Sequence, residues 1–464
     1  GGSSSKQEWA LISYLGRANY SFDDKYLITA TFRTDGSSRF GANNKWGFFP
    51  SAAVGWVVSN EEFLQNNNTL TYLKLRASYG LAGNNSIGNY SHIGLLSNTN
   101  QTFGPGAGTN FFGIYPTSLS NRNLSWEKAK ELDLGVDLGF LNDRIVLNFD
   151  YYRRLTTDLL LRVNLPSTTG FSDVLTNIGE VENKGVELVL NTRNIITKNV
   201  KWNTSFNIAR NTNKVLKLGP SGDPIYDFAG TRITEVGGPI GANRGLVQIG
   251  VLTQKDIDAG VAVFPGQTAG DVKYLDVNGD GTISNFNGDD GVQIGDANPK
   301  YVFGMNNNVE YKNFSLSVMI IGQTGGKTMD LTSQGLWDPD GSNVMKKQWV
   351  GRYQSDAQPG NGITPRAGMI AGGLPDTRLV QKTDYLRIRN ITLGYDFSAK
   401  NIKPVKGLRV YASIENLITW TDFEGFNPQA TSFGGGQSAT INGLTGGGSY
   451  PLPRVISLGV NLTL

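Results

Sequence analysis

Between Glu131 and Arg154 the chain alternates with a period of two. Leu132, Leu134, Val136, Leu138 and Phe140 interleave with Glu131, Asp133, Gly135, Asp137 and Gly139; Ile145, Leu147, Phe149 and Tyr151 interleave with Arg144, Val146, Asn148 and Asp150. That period places successive side chains on opposite faces of an extended strand. Leu141, Asn142 and Asp143 supply a tight turn, so the stretch predicts a β-hairpin. Its strands exceed the roughly 5–6 residues usual in globular sheets. Strands of about 10 residues, apolar on one face and polar on the other, suit a barrel wall between lipid and a watery lumen.

The same alternation predicts thirteen strands: 9–21, 25–33, 47–58, 70–81, the hairpin pair, 185–193, 201–209, 301–311, 314–321, 385–397, 408–419 and 455–464. The phase slips near Asn390, which predicts a β-bulge there or a stretch above the lipid. Connections alternate between short and long. Short ones fall at 22–24, 59–69, 141–143, 194–200, 312–313 and 398–407; long ones at 34–46, 82–126, 161–184, 211–300, 322–384 and 420–454. Short turns on one side and long loops on the other are the habit of outer-membrane barrels. Residues 1–464 therefore read as all-β, a transmembrane antiparallel barrel portion, with 211–300 as its longest extracellular loop. Bacterial single-chain barrels have an even number of strands, so thirteen predicts the C-terminal portion of a larger barrel, entered within an extracellular loop.

Composition narrows this picture. The chain has 464 residues, 59 of them Gly, no Cys, and 42 Lys plus Arg against 39 Asp plus Glu, for a net charge of +3. Glycine above the usual ~7% signals many turns, and the balanced charge gives no argument for nucleic acid. No apolar run reaches the ~18 residues of a membrane-spanning helix. No signal-peptide pattern is visible in GGSSSKQEW.

Several stretches resemble the SusC/RagA family of TonB-dependent outer-membrane transporters of Bacteroidetes. They are ISYLGRANYSFDDKYLITATFRTDGSSRFG (12–41) followed by WGFFPSAAVGWVVSNEEF; LPSTTGF followed by NIGEVENKGVEL (165–188); and GDVKYLDVNGDGTI followed by IGDANPKYVFGMNNNVEYKNFSLSV (270–318). DYLRIRNITLGY, LRVYASIENLITW and PRVISLGVNLTL complete the set. The resemblance implies a barrel of 22 strands, thirteen of them in this chain, with a plug domain and TonB box outside it. It also implies import of oligosaccharides or peptides, energised by TonB, with a SusD-like surface lipoprotein over the mouth. The competing reading is a soluble, calcium-dependent β-protein that binds glycans in adhesion.

Asp276-Val277-Asn278-Gly279-Asp280-Gly281-Thr282-Ile283 follows the opening of an EF-hand-type calcium loop. Asp276, Asn278 and Asp280 offer side-chain oxygens and Thr282 its carbonyl; the twelfth position is Asn287, so Asp289 or Asp290, two or three residues on, would complete a structural Ca2+ site, the alternative being a plain Asp/Asn/Gly turn without metal. Aromatic residues in the long loops, Phe111, Phe112, Tyr115, Trp337, Trp349 and Tyr353, are candidates for stacking on cargo or for packing the loops. Lys74 and Arg76, and Arg387 and Arg389, belong on the lumen side, because a charge facing mid-bilayer lipid costs about 2–4 kcal/mol. Tyr14, Tyr20, Tyr26, Trp46, Trp56 and Tyr151 lie near strand ends, as in aromatic girdles. His92 is the single histidine, on a Ser/Asn/Gly-rich loop, and no catalytic constellation is expected.

Overall fold

The computed structural model describes residues 4, 6–103, 109–219, 221–330, 350–369, 374–397, 406–429, 444–445 and 451–463. Among them one large sheet contains thirteen strands, each beside its neighbours in sequence. These are β1 (Leu11–Phe22), β2 (Tyr26–Ser37), β3 (Trp46–Val57), β4 (Leu70–Asn84), β5 (Glu127–Phe140), β6 (Ile145–Asn164), β7 (Asp173–Ile196), β8 (Val200–Leu218), β9 (Tyr301–Tyr311), β10 (Phe314–Thr324), β11 (Tyr385–Phe397), β12 (Gly407–Trp420) and β13 (Val455–Thr463). The chain divides into two compact units, Gly1–Leu188 with Thr212–Asp223, and Val189–Asn211 with Pro224–Leu464.

In the first unit the register aligns the apolar rows. Trp56 faces Leu75, Leu75 faces Val136 and Val136 faces Phe149; one level away Val54, Ala77, Leu134 and Tyr151 form the next row. Among the described residues this face is left open, with Val54, Leu75, Leu134 and Phe149 exposed. Two belts of stacked aromatics bound it. Beside the Asp23-Asp24 turn, Phe22 lies 6.4 Å from Tyr26, and Tyr26 lies 6.5 Å from Trp56. Toward the long loops, Tyr14 stacks on Trp46 at 6.1 Å and Phe32 on Phe48 at 6.4 Å. From Tyr26 to Gly36, the partner of Trp46, the strand rises about 33 Å at ~3.3 Å per residue. With a tilt of about 40°, that is ~25 Å, the height of an outer-membrane apolar band. Glu61 fixes the first belt, accepting from the Tyr26 hydroxyl at 2.8 Å and the Trp56 indole N–H at 3.0 Å.

Above the second belt the polar face is roofed. Phe40, Phe49, Ile87, Leu124 and Trp126 form a buried cluster with Leu160 and Leu175 against it. The ring of Phe49 lies so close over Gly83 that a Cβ there would sit 2.0 Å from its Cζ. Asn177 ties strand to loop: its Nδ2 donates to the carbonyls of Ser125 and Asp158, at 2.9 and 2.8 Å, and its Oδ1 accepts from the Ser125 N–H.

All thirteen expected strands are present and ten have ends within about five residues of those observed, but the connection expected at 161–184 is mostly strand. β6 continues to Asn164 and β7 starts at Asp173, and β8 likewise continues to Leu218 inside the span read as the start of the longest loop. Val181 and Glu182 are adjacent, point to opposite faces, and are both buried. Where both faces of a strand are covered, one-sided alternation disappears, so the pattern gave no signal.

Within the second unit β9 to β13 pair in sequence order, and Leu408, Val410, Ala412 and Ile414 pair with Leu462, Val460, Leu458 and Ile456. The bulge falls where the phase slip predicts it, between Ile388 and Asn390, with Asn416 of β12 at φ 52° opposite. The loop between β8 and β9 carries structure that the alternation did not reveal. Ile225–Asp227, Arg232–Thr234, Ala242–Gly245 and Val292–Gly295 form a four-stranded sheet, and Gln248–Val251 pairs with Val272–Tyr274. Leu246, Val272, Tyr274, Ile283 and Met369 are its buried core.

Candidate functional site

The polar face of β4 to β6 concentrates charge. Arg76 grips Asp137 with both ends of its guanidinium fork, Nε and Nη2 each donating at 2.9 Å, and Nη2 also donates to Asp150 at 2.7 Å. Asp133 lies 3.9 Å from Nη1, and the Asn148 amide donates to Asp137 at 2.8 Å. Bidentate Arg–carboxylate pairs are strong and directional. Gly135 makes this one possible: a Cβ there would meet Asp150 Oδ1 at 2.4 Å and Arg76 Cζ at 2.5 Å. All four polar residues that the hairpin pattern assigned to one face, Asp133, Asp137, Asn148 and Asp150, therefore share it with Arg76. In the second unit Arg387 is also on the polar face, held by Thr419 at 2.7 Å, Asn427 at 3.2 Å and Gln429, with its guanidinium 4.9 Å from the centre of the Tyr385 ring. Arg389 occupies the bulge and donates to Asn416.

The Asp276–Ile283 turn is braced from within. Asp276 accepts from the N–H groups of Gly279 and Gly281 at 2.7 and 2.9 Å. Asp280 accepts from the Thr282 N–H and hydroxyl, each at 2.8 Å, and from the Asn278 amide at 3.0 Å. Gly279 and Gly281 take φ of 75° and 82°, which glycine adopts without strain. Ile283 enters the core cluster. Asp290 is 0% exposed, and its two oxygens accept from the N–H groups of Val277, at 2.8 Å, and Ser284, at 2.6 Å. Among the described residues no three acidic or histidine side chains converge on one point.

The loop aromatics divide. Phe112 is 87% exposed and Tyr115 is also exposed on the hairpin Leu96–Phe103 and Thr109–Pro116. Tyr353 is buried, its hydroxyl donating to Asp356 at 2.6 Å and its phenol pushed up to about 12 by that bond, so it packs the loop. Trp337 and Trp349 lie outside the described residues, as does the side chain of Phe111. His92 sits with Nδ1 3.0 Å from the Arg39 carbonyl oxygen.

A family model described as "TonB dependent receptor-like, beta-barrel" matches residues 2–417. The chain belongs to the TonB-dependent receptor β-barrel family. The TonB-dependent receptor P26 of Formosa agariphila is 36% identical over 98% of this chain, and the TonB-dependent receptor SusC of Bacteroides thetaiotaomicron is 32% identical over 91% of it. The chain spans about half the length of these relatives, 46% and 42%. Among solved structures, that of the RagAB peptide transporter superposes with a TM-score of 0.84 at 26% identity, covering 98% of this chain and 47% of that one.

Membership in the TonB-dependent receptor family places the chain in the outer membrane, and the soluble alternative falls. The apolar rows face lipid and the Arg76 cluster faces the lumen. Pattern reading missed one polar-face group at the long-loop end of β1 and β2. The Arg39 guanidinium stands 4.6 Å from the centre of the Trp9 ring, beside Asn89 and Tyr90. Parity alone would have put Trp9 and Arg39 on the lumen side, two positions beyond Leu11 and Ser37. Nothing in the sequence brings Tyr90 there.

Proposed function

We propose that this chain supplies wall and mouth to an active importer of oligosaccharides or peptides. Thirteen sequential antiparallel strands, with an apolar face bounded by two aromatic belts on β1 to β3 and a charged opposite face on β4 to β6, carry this reading. Such a wall encloses an aqueous path and leaves chemistry aside. A SusD-like surface lipoprotein is the proposed partner at the mouth, and TonB, acting on a plug upstream in the whole protein, is the proposed energy source. The relatives named SusC and RagAB support this assignment. In cells whose growth on one glycan or peptide depends on the intact protein, loss of TonB abolishes uptake, and a stoichiometric lipid-anchored protein copurifies. Uptake undiminished without TonB overturns the reading.

Calcium at the Asp276 turn forms part of the proposal. The donor set of Asp276, Asn278, Asp280 and the Thr282 carbonyl is all oxygen, as that hard cation prefers. Each carboxylate oxygen bonded to an N–H keeps acceptor capacity. Asp290 would brace the turn from behind, through the N–H groups of Val277 and Ser284. Millimolar calcium should slow proteolysis of the Asp276–Asp290 segment; an unchanged rate removes the ion.

A further inference from the structure

The lipid-facing side of the wall ends in two different ways toward the long loops. On β1 to β3 it ends in the rings of Tyr14, Phe32, Trp46 and Phe48. On β5 to β8 it ends in cations. The ladder fixes their face: Tyr79 pairs with Leu132 and Leu132 with Arg153, which extends the lipid-facing row of Leu134 and Tyr151. Lys130 and Lys128 follow Leu132 at every second residue, so both point outward as well. From Phe140, beside the short turn, to Lys130 the strand rises about 33 Å at ~3.3 Å per residue, or ~25 Å along the membrane normal at a tilt of about 40°. That is the height at which acyl chains give way to headgroups.

Glu182 gathers the rest of the group. It is buried, and it accepts from Arg153 Nε at 2.6 Å and Lys184 Nζ at 3.3 Å. On the opposite face Asn213 of β8 donates to Asn183 at 2.9 Å, which turns the next residue, Lys214, to the side of Glu182. Lys128 lies 3.2 Å from Asp158, and among the described residues Lys130 forms no ion pair. Even with Glu180, two positions from Glu182, counted in, cations outnumber carboxylates on this strip. Arg153 and Lys184 share one carboxylate and keep about half of their side chains exposed, 53% and 51%. Each therefore retains N–H groups for a further acceptor.

We propose that this strip binds the phosphates of an anionic glycolipid of the outer leaflet, a headgroup of the lipid A type. Lys128, Lys130, Arg153, Lys184 and Lys214 hold the phosphates, and the acyl chains lie along Leu132, Leu134 and Tyr151. Charge complementarity selects an anion, because Lys and Arg form charge-assisted bonds with phosphate oxygens. The apolar row directly below selects a lipid: Leu132 and Leu134 are exposed beneath the cations, where a free phosphate or a soluble acidic partner has nothing to cover them. Strands β5 to β8 span about 14 Å at ~4.8 Å per neighbour, broad enough for a headgroup with more than one phosphate. The binding is independent of cargo and of the import reading.

The test titrates the full-length protein, in a detergent with an uncharged headgroup, with bisphosphorylated lipid A, its dephosphorylated counterpart and inorganic phosphate, and counts bound lipid by native mass spectrometry. Bisphosphorylated lipid A binds about tenfold or more tightly than the dephosphorylated lipid, and Lys130→Glu weakens it by a similar factor. Lys201→Glu, beside a short turn at the other end of the wall, leaves it unchanged. Heat-modifiable migration reports that each barrel is folded; should Lys130→Glu fail to fold, Lys130→Gln takes its place, with a loss of about fivefold expected. Equal affinity for the two lipids, or binding that the Lys130 variants leave unchanged, overturns the site. So does an equal loss in Lys201→Glu, which would reduce the effect to net charge. Displacement of the lipid by millimolar inorganic phosphate would make this an ion site and overturn the lipid assignment.

Discussion

Gly135 shows how much one hydrogen atom can decide. Its missing Cβ lets Arg76 lie flat across β5 and reach Asp137 and Asp150 together. Gly135→Ala should push the guanidinium aside and cost about 1–3 kcal/mol, as overpacking does. Chemical unfolding of the full-length protein in lipid vesicles measures that loss; an unchanged midpoint would show that the cluster repacks freely. Alternation revealed the face that Asp133, Asp137 and Asp150 occupy, but not the grip itself. Arg76 and Asp150 are 74 residues apart, and a two-residue period says nothing about which strands become neighbours.

At the scale of elements, legibility followed environment. Strands with lipid on one side and water on the other announced themselves, and even the bulge near Asn390 was visible as a phase slip. The upper part of β7, where Val181 and Glu182 are buried on opposite faces, was not, nor were the small sheets between β8 and β9. The helix Gln254–Asp258 is held by a capping box between Thr253 and Asp256, a local signal too short to stand out in a Gly-rich loop. Asp256 also takes the Lys273 ammonium at 2.7 Å, and that bond, with those from Thr253, brings its carboxyl down to about 2. Its folded pKa lies below the ordinary carboxylate value near 3.9, so its contribution is complete above about pH 4 and vanishes as pH falls through about 2. Asp256→Asn should therefore weaken the loop by about 1–2 kcal/mol at neutral pH, with the gap from the parent closing toward about pH 2. Limited proteolysis across that range reads the gap; a constant difference would assign the effect to the cap alone.

For the molecule as a whole, the two faces carry opposite rules. Leu134 lies in the lipid-facing row with Ala77 and Tyr151, whereas Ser78, paired with Asp133, faces the lumen. Leu134→Arg should cost about 2–4 kcal/mol and Ser78→Arg less than about 1 kcal/mol. Equal costs in vesicle unfolding would contradict the assignment of faces. The family was legible in its motifs because lipid, lumen and turn each constrain a residue type. The rim group of Trp9, Arg39 and Tyr90 was not, since its members come from three separate segments that only the folded loops bring together.

The stacked belts have a consequence for where the protein can work. Rings at Tyr26 and Trp56 on one side, and at Tyr14 and Trp46 on the other, are anchors at a set spacing, about 25 Å along the membrane normal. A bilayer thicker than this must thin around the wall or force the strands upright, at a cost of fractions of a kcal/mol for each ångström of mismatch. The belts act as a gauge for membrane thickness, matching the chain to a thin outer membrane.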